Sequence, residues 1–175
     1  NTDNMSALGL TIDYGPYGWL EPYDEDWTPN TTDRQHRRYR FGQQGKIALW
    51  NLYQLANALF TVIGEAEPLQ EILEAYEAKY DTAFYKMMLS KLGIFTMMDG
   101  DMEFVDNVKE VLQLRETDMT IFFRNLSRLK KNDDFEHFIS IIDSIFYKPE
   151  EIKGDILLMW QNWFTKYSTR LNSEA

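Results

Sequence analysis

From Lys46 onward, apolar residues recur every three to four positions, the spacing that lines one face of an α-helix. Ile47, Leu49, Trp50, Leu52, Tyr53, Leu55, Leu59 and Phe60 form the first such face, and Gly64 is its stop. Pro68 opens a second helix carrying Leu69, Ile72, Leu73, Tyr76, Tyr80, Phe84 and Met88 to about Leu92, where Gly93 ends it. A third runs from Asp101 to about Leu114 with Met102, Val105, Val108 and Leu112 on one side. Thr117 is the expected N-cap of a fourth, through Met119, Phe122, Phe123, Leu126 and Leu129. Asn132 or Asp133 caps a fifth, with Phe135, Phe138, Ile139, Ile142 and Phe146. Pro149 begins a sixth that carries Ile152, Ile156, Trp160, Trp163 and Phe164 to about Tyr167.

The first 45 residues break this pattern. Met5–Leu8 and Leu10–Ile12 are brief apolar runs around Gly9, which predicts a short β-hairpin. Gly15 to Gly45 then reads as one long loop, and loops of that length in compact domains are often functional. The expected fold is mainly α, one domain over residues 1–175. Residues 1–45 hold the hairpin and loop, and 46–175 form a body of about six helices.

Composition narrows the function. The chain has 175 residues, 44% of them hydrophobic and 15% aromatic, enough for a real core. Its formal net charge of -10 argues against nucleic acid as a partner, since phosphate backbones are met by basic faces. No apolar run reaches the ~18 residues of a membrane span. There is no Cys, so disulfides, zinc–thiolate sites and thiol catalysis are excluded. His36 and His137 lie far apart, which leaves oxygen ligands as the basis for any metal site. His137 falls on the polar side of its helix and reads as solvated. Asp99-Gly100-Asp101 lacks the full calcium-loop pattern and reads as a turn and helix start.

Asp3, Asn4 and Asp13 are the candidate chemistry. A strand-turn-strand would bring Asn4 and Asp13 to the same end of a hairpin. A carboxamide oxygen and a carboxylate are hard donors suited to Mg²⁺, which keeps waters and takes phosphate oxygens as further ligands. Protein kinases hold Mg²⁺ with such a pair, a catalytic-loop Asn and the Asp of D-F-G. Asp13-Tyr14-Gly15 would stand in for D-F-G. On pattern alone, the alternative is two turns with local capping. The cluster Arg34, Arg37, Arg38 and Arg40 reads either as a contact for phosphate or a protein substrate, or as a solvated loop paired with the Asp24–Asp26 run.

"NTDNMSALGLTIDYGPYGWLEPYD" and "RYRFGQQGKIALWNLYQLANAL" resemble the selenoprotein O family of protein-kinase-like proteins. The resemblance implies a kinase-like C-lobe and transfer of AMP from ATP to Ser, Thr or Tyr hydroxyls of proteins. It implies Asp3 as proton acceptor, Asn4 as a Mg²⁺ ligand, and Asp13 as both Mg²⁺ ligand and nucleotide contact, with Mn²⁺ as an alternative ion. It also implies a cytoplasmic bacterial protein whose partners are ATP and protein substrates. The family's nucleotide-binding lobe has no counterpart here, nor does its carboxy-terminal Cys or selenocysteine, and Gly45 stands where related sequences commonly have Pro. The chain is therefore expected to be a C-lobe fragment, inactive alone. Two other readings compete: a lobe transferring the γ-phosphoryl group, and a non-enzymatic helical interaction domain in which D-Y-G is only a turn.

Overall fold

The computed structural model describes Thr2, Met5, Ser6, residues 20–29 and residues 31–174. Seven α-helices are present among them: α1 (Gln44–Ile63), α2 (Glu67–Glu74), α3 (Tyr76–Lys91), α4 (Asp101–Gln113), α5 (Met119–Leu126), α6 (Phe135–Ile142) and α7 (Asp155–Asn172). No strand occurs among the described residues, which pair only through isolated bridges. Beyond Met5 and Ser6, the predicted hairpin lies outside the described residues. Contacts divide the chain into two compact units, Asn1–Leu20 with Asp24–Thr82, and Glu21–Tyr23 with Ala83–Ala175.

Helix identities follow the hydrophobic periodicity closely, and the ends less so. α1 stops as expected at Gly64, whose φ of 76° is left-handed and whose N–H donates to the Phe60 carbonyl. The single helix predicted from Pro68 to Leu92 is two, α2 and α3, separated at Ala75. The Tyr76 hydroxyl just beyond the break donates to the Gly45 carbonyl at 2.9 Å, a tertiary demand that no local pattern carries. Thr117 does not cap α5. Its hydroxyl donates to the Arg115 carbonyl, and Asp118 accepts from the Ile121 N–H at 2.7 Å instead. Neither Asn132 nor Asp133 caps α6. Asn132 sits at φ 70°, Asp133 accepts from the Lys130 N–H to close a turn, and Asp134 is the cap, accepting from the His137 N–H. The α-helix then ends at Ile142, and a 3-10 turn covers Asp143–Ile145. Pro149 begins only a 3-10 turn, Pro149–Glu151. Gly154, at φ 56° and ψ −130°, interrupts the chain before α7 starts.

The second unit has a core built from four helices and the end of α3. Val105, Val108 and Leu112 of α4, Phe122 of α5, Phe138 and Ile142 of α6, and Trp160 of α7 are at most 1% exposed. Aromatic rings dominate it: Phe138 stacks on Phe164 at 4.6 Å and Trp163 on Tyr167 at 5.1 Å. Burial pushes the Tyr167 phenol up to about 12, and its hydroxyl donates to the Leu92 carbonyl at 3.0 Å. Glu21–Tyr23 joins this unit through backbone bonds: the Tyr23 N–H donates to the Thr117 carbonyl and the Met119 N–H to the Glu21 carbonyl.

A partly buried ion-pair network fastens the carboxy-terminal end of α7. Arg170 donates to both oxygens of Asp101, at 2.8 and 3.0 Å, and to Glu174 at 3.1 Å. The Arg170 guanidinium also donates to the Thr96 carbonyl, while Glu174 accepts from the Phe95 and Thr96 N–H groups at 2.9 and 2.8 Å. Asp99-Gly100-Asp101 is thus a turn and helix start. Gly100 is left-handed at φ 89°, and Asp101 accepts from the Met98 N–H.

In the first unit the loop leading to α1 folds back on itself. The Phe41 N–H donates to the Trp27 carbonyl at 2.9 Å and the Gly42 N–H to the Glu25 carbonyl at 2.8 Å. A Cβ at Gly42 would lie 2.9 Å from the Glu25 Cβ and 3.1 Å from its carbonyl oxygen, neither of which is the free end of a side chain. Gly42→Ala is therefore expected to destabilise this unit by about 1–3 kcal/mol, measured by chemical denaturation. A neutral result would mean that the Glu25 backbone yields.

Candidate functional site

The residues expected to carry the chemistry, Asp3, Asn4 and Asp13, lie outside the described residues. The structure shows what their described neighbours meet. Met5, next to Asn4, accepts through its sulfur from the Asn51 side-chain N–H at 2.8 Å. Asn51 is the one buried residue of α1, 5% exposed, and its carboxamide oxygen has no partner among the described residues. α1 therefore offers a buried amide to the segment that carries Asp3 and Asn4. The helical pattern hid this residue, because Asn51 falls within an apolar run, Leu49-Trp50-Asn51-Leu52-Tyr53. A lone amide in such a run was the available signal.

Two members of the basic cluster between this segment and α1, Arg37 and Arg40, pair with Asp26. Asp26 lies 3.1 Å from Arg40 and 4.0 Å from Arg37, and Arg37 also donates to the Asp26 carbonyl at 3.5 Å. These pairs are open to water and contribute about 0.2–1 kcal/mol each. The Asp33 carboxylate accepts from the Arg38 and Tyr39 N–H groups at 2.9 and 2.7 Å, which fixes the turn. Arg38 then lies over the Trp50 ring, 4.4 Å from its centre, tying the loop to α1. The segment is held by its own acid–base pairs and by Arg38, which also lies 5.7 Å from the Tyr39 ring centre.

α1 begins under equally specific constraints. Tyr76 and Tyr80 stack at 5.7 Å, and a Cβ at Gly45 would fall 2.7 Å from the Tyr80 ring. A residue without a side chain at position 45 lets these rings close over the start of the helix.

Among the described residues no group of three or more His, Asp or Glu side chains is placed to hold a metal ion. His137 lies on an exposed helix side, 3.6 Å from Asp133. No helix among the described residues is long and apolar enough to cross a membrane.

The described residues define a mainly helical protein. The family model for protein adenylyltransferase SelO matches residues 1–175. A protein nucleotidyltransferase YdiU from Flavobacterium johnsoniae is 57% identical over 175 residues, 100% of this chain and 34% of the relative. Relatives of the same name from Rhodopirellula baltica and Aromatoleum aromaticum are 44% and 47% identical, over 98% and 99% of this chain and 33% and 32% of theirs. The chain belongs to the SelO family. It spans about a third of the length of these curated relatives.

Proposed function

We propose that the longer polypeptide of which these residues form part transfers AMP from ATP to Ser, Thr or Tyr hydroxyls of proteins in the bacterial cytoplasm. One observation carries this reading: the adenylyltransferase family match covers all of residues 1–175, with the Asn1-Thr2-Asp3-Asn4 and Asp13-Tyr14-Gly15 motifs inside it. In this reading the chain is the helical, kinase-like C-lobe.

The residue chemistry is consistent with the reaction. The acceptor hydroxyl must lose a proton as its oxygen bonds the α-phosphorus and pyrophosphate leaves with the bonding electrons. Asp3 takes that proton. Asn4 and Asp13 supply one carboxamide and one carboxylate oxygen, a donor set that fits Mg²⁺ or Mn²⁺. The bound ion would neutralise phosphate charge. Asn51 supports the segment bearing Asp3 and Asn4 through Met5. These 175 residues alone are expected not to transfer AMP.

The test is incubation of the full-length protein with Mg²⁺-ATP and a protein acceptor, read by mass spectrometry. An adenylyl adduct is expected, and Asp13→Ala should reduce its rate by about a hundredfold or more. A phosphoryl adduct would replace this reading with that of a kinase. No adduct of either kind would leave the helical interaction domain.

A further inference from the structure

Asn51 sits about two turns inside α1, in the run Ile47-Ala48-Leu49-Trp50-Asn51-Leu52-Tyr53. A buried amide costs free energy unless its donors and its acceptor are met, and a Leu in its place would extend the apolar run without that cost. Yet Asn51 is 5% exposed, while Trp50 and Tyr53 beside it are 42% and 47% exposed. Met5 meets one half of the amide: its sulfur accepts from the Nδ2–H at 2.8 Å, across 46 residues of chain. The other half, Oδ1, is buried without a partner among the described residues. Buried polar atoms are almost always paired, so this oxygen calls for a donor. The segment that already meets Nδ2 at Met5 can supply one from its backbone.

α1 is itself held at its start. Gln44 donates from Nε2 to the Tyr39 and Arg40 carbonyls at 2.8 and 3.1 Å. Arg38 lies over the Trp50 ring, and the Tyr76 hydroxyl donates to the Gly45 carbonyl. A group on a fixed helix holds its partner more closely than one on a loop does. Met5 follows Asn4 directly, and consecutive Cα atoms are about 3.8 Å apart, so a fixed Met5 leaves Asn4 and Asp3 little freedom.

We propose that Asn51 is a positioning residue for nucleotidyl transfer: through Met5 it fixes where the segment presents Asp3 to the acceptor hydroxyl and Asn4 to the metal. The inference rests on the AMP-transfer reading above and adds to it a residue outside both amino-terminal motifs.

The experiment compares full-length wild type with Asn51→Leu, Met5→Leu and the double variant, in two arms. The first is hydrogen exchange read by mass spectrometry. In Asn51→Leu, peptides from residues 1–8 are expected to exchange about tenfold or more faster than in wild type, with α4 to α7 unchanged. The second arm is AMP transfer to a protein acceptor. In Asn51→Leu, kcat is expected to fall about ten- to a hundredfold, as for loss of a group that orients a metal ligand. The Mg²⁺ concentration for half-maximal rate should rise, and the KM for the protein acceptor should not move. Met5→Leu should show a smaller loss in the same direction. The double variant should be no slower than Asn51→Leu, since both changes remove one contact. Unchanged exchange at residues 1–8, a kcat within about twofold of wild type, or losses that multiply in the double variant would each overturn the proposal. If Asn51→Leu also loosens α4 to α7, the decision passes to Met5→Leu, whose side chain is 43% exposed and can change without disturbing a core. A wild type that transfers no AMP would remove the reading of function, and the exchange arm would still decide whether Asn51 holds the segment.

Discussion

Trp160→Ala is expected to destabilise the second unit by about 3–5 kcal/mol, the range for removing a fully buried large aromatic side chain. Trp160 is 1% exposed. Its ring meets Phe122 of α5 at 5.8 Å, Phe138 of α6 at 6.1 Å, Phe146 at 5.6 Å and Trp163 of its own helix at 6.1 Å. Truncation would open a cavity bordered by four other rings, none of which can move in without leaving its own partners. The interior is close-packed, so the loss combines transfer free energy with the unfilled space. Urea denaturation followed by near-ultraviolet circular dichroism measures it. A loss below about 1 kcal/mol would mean that these rings collapse into the gap, against the rigidity expected of a packed core.

Arg170→Met is expected to cost a similar amount, about 3–5 kcal/mol, for an electrostatic reason. The Asp101 side chain is 3% exposed and that of Arg170 is 12% exposed. Removing the guanidinium strands a buried carboxylate. Replacing both partners with apolar residues (Asp101→Leu with Arg170→Met) should recover much of the loss, since no charge is then left unpaired. The pH dependence gives a second readout. Burial pushes the Asp101 carboxyl up, but hydrogen bonds from Arg170 and the Met98 N–H, with the charge of Arg170, outweigh it and hold the group below the usual carboxylate range. The Phe95 N–H, with Thr96 and Arg170, holds Glu174 low as well. Both are depressed in the folded state. Their stabilisation is therefore present above the unfolded value of about 4 and is lost as pH falls through the folded values. In Arg170→Met, Asp101 keeps only the Met98 N–H against its burial, so its pKa rises relative to wild type and acid relieves the carboxylate left without its guanidinium. The deficit of the variant relative to wild type should narrow as pH falls toward 4, measured by denaturant midpoints across that range. A deficit independent of pH would show that packing of the Arg170 stem, not charge, carries the effect.

Much of the fold was legible because a helix writes its core face into a local spacing. α1 and α4 lie where the apolar stripes placed them, α7 starts and ends about five residues later than its stripe predicted, and the left-handed glycines at 64 and 93 stop their helices. Helix starts were less legible, because several Asp, Asn and Thr residues compete near each one. Asp134 caps α6 since Asn132 and Asp133 are taken up by the preceding turn. The pairing of Asp26 with Arg37 and Arg40 was one reading of the charge pattern, and the folded loop contains it. For the candidate site, family membership and the identities of Asp3, Asn4 and Asp13 come from short motifs, whose chemistry is written in consecutive residues.

Contacts across long separations were not legible. Asp101 and Arg170 are ordinary surface-type residues in the sequence, and only the fold brings them together and buries them. Asn51 looks like an interruption in an apolar stripe until α1 is set beside Met5. Helix periodicity, capping chemistry and the amino-terminal motifs depend on neighbours a few residues apart, so the chain carries them wherever it is read. Which polar groups become buried partners depends on segments tens of residues away, and so only the tertiary structure decided it.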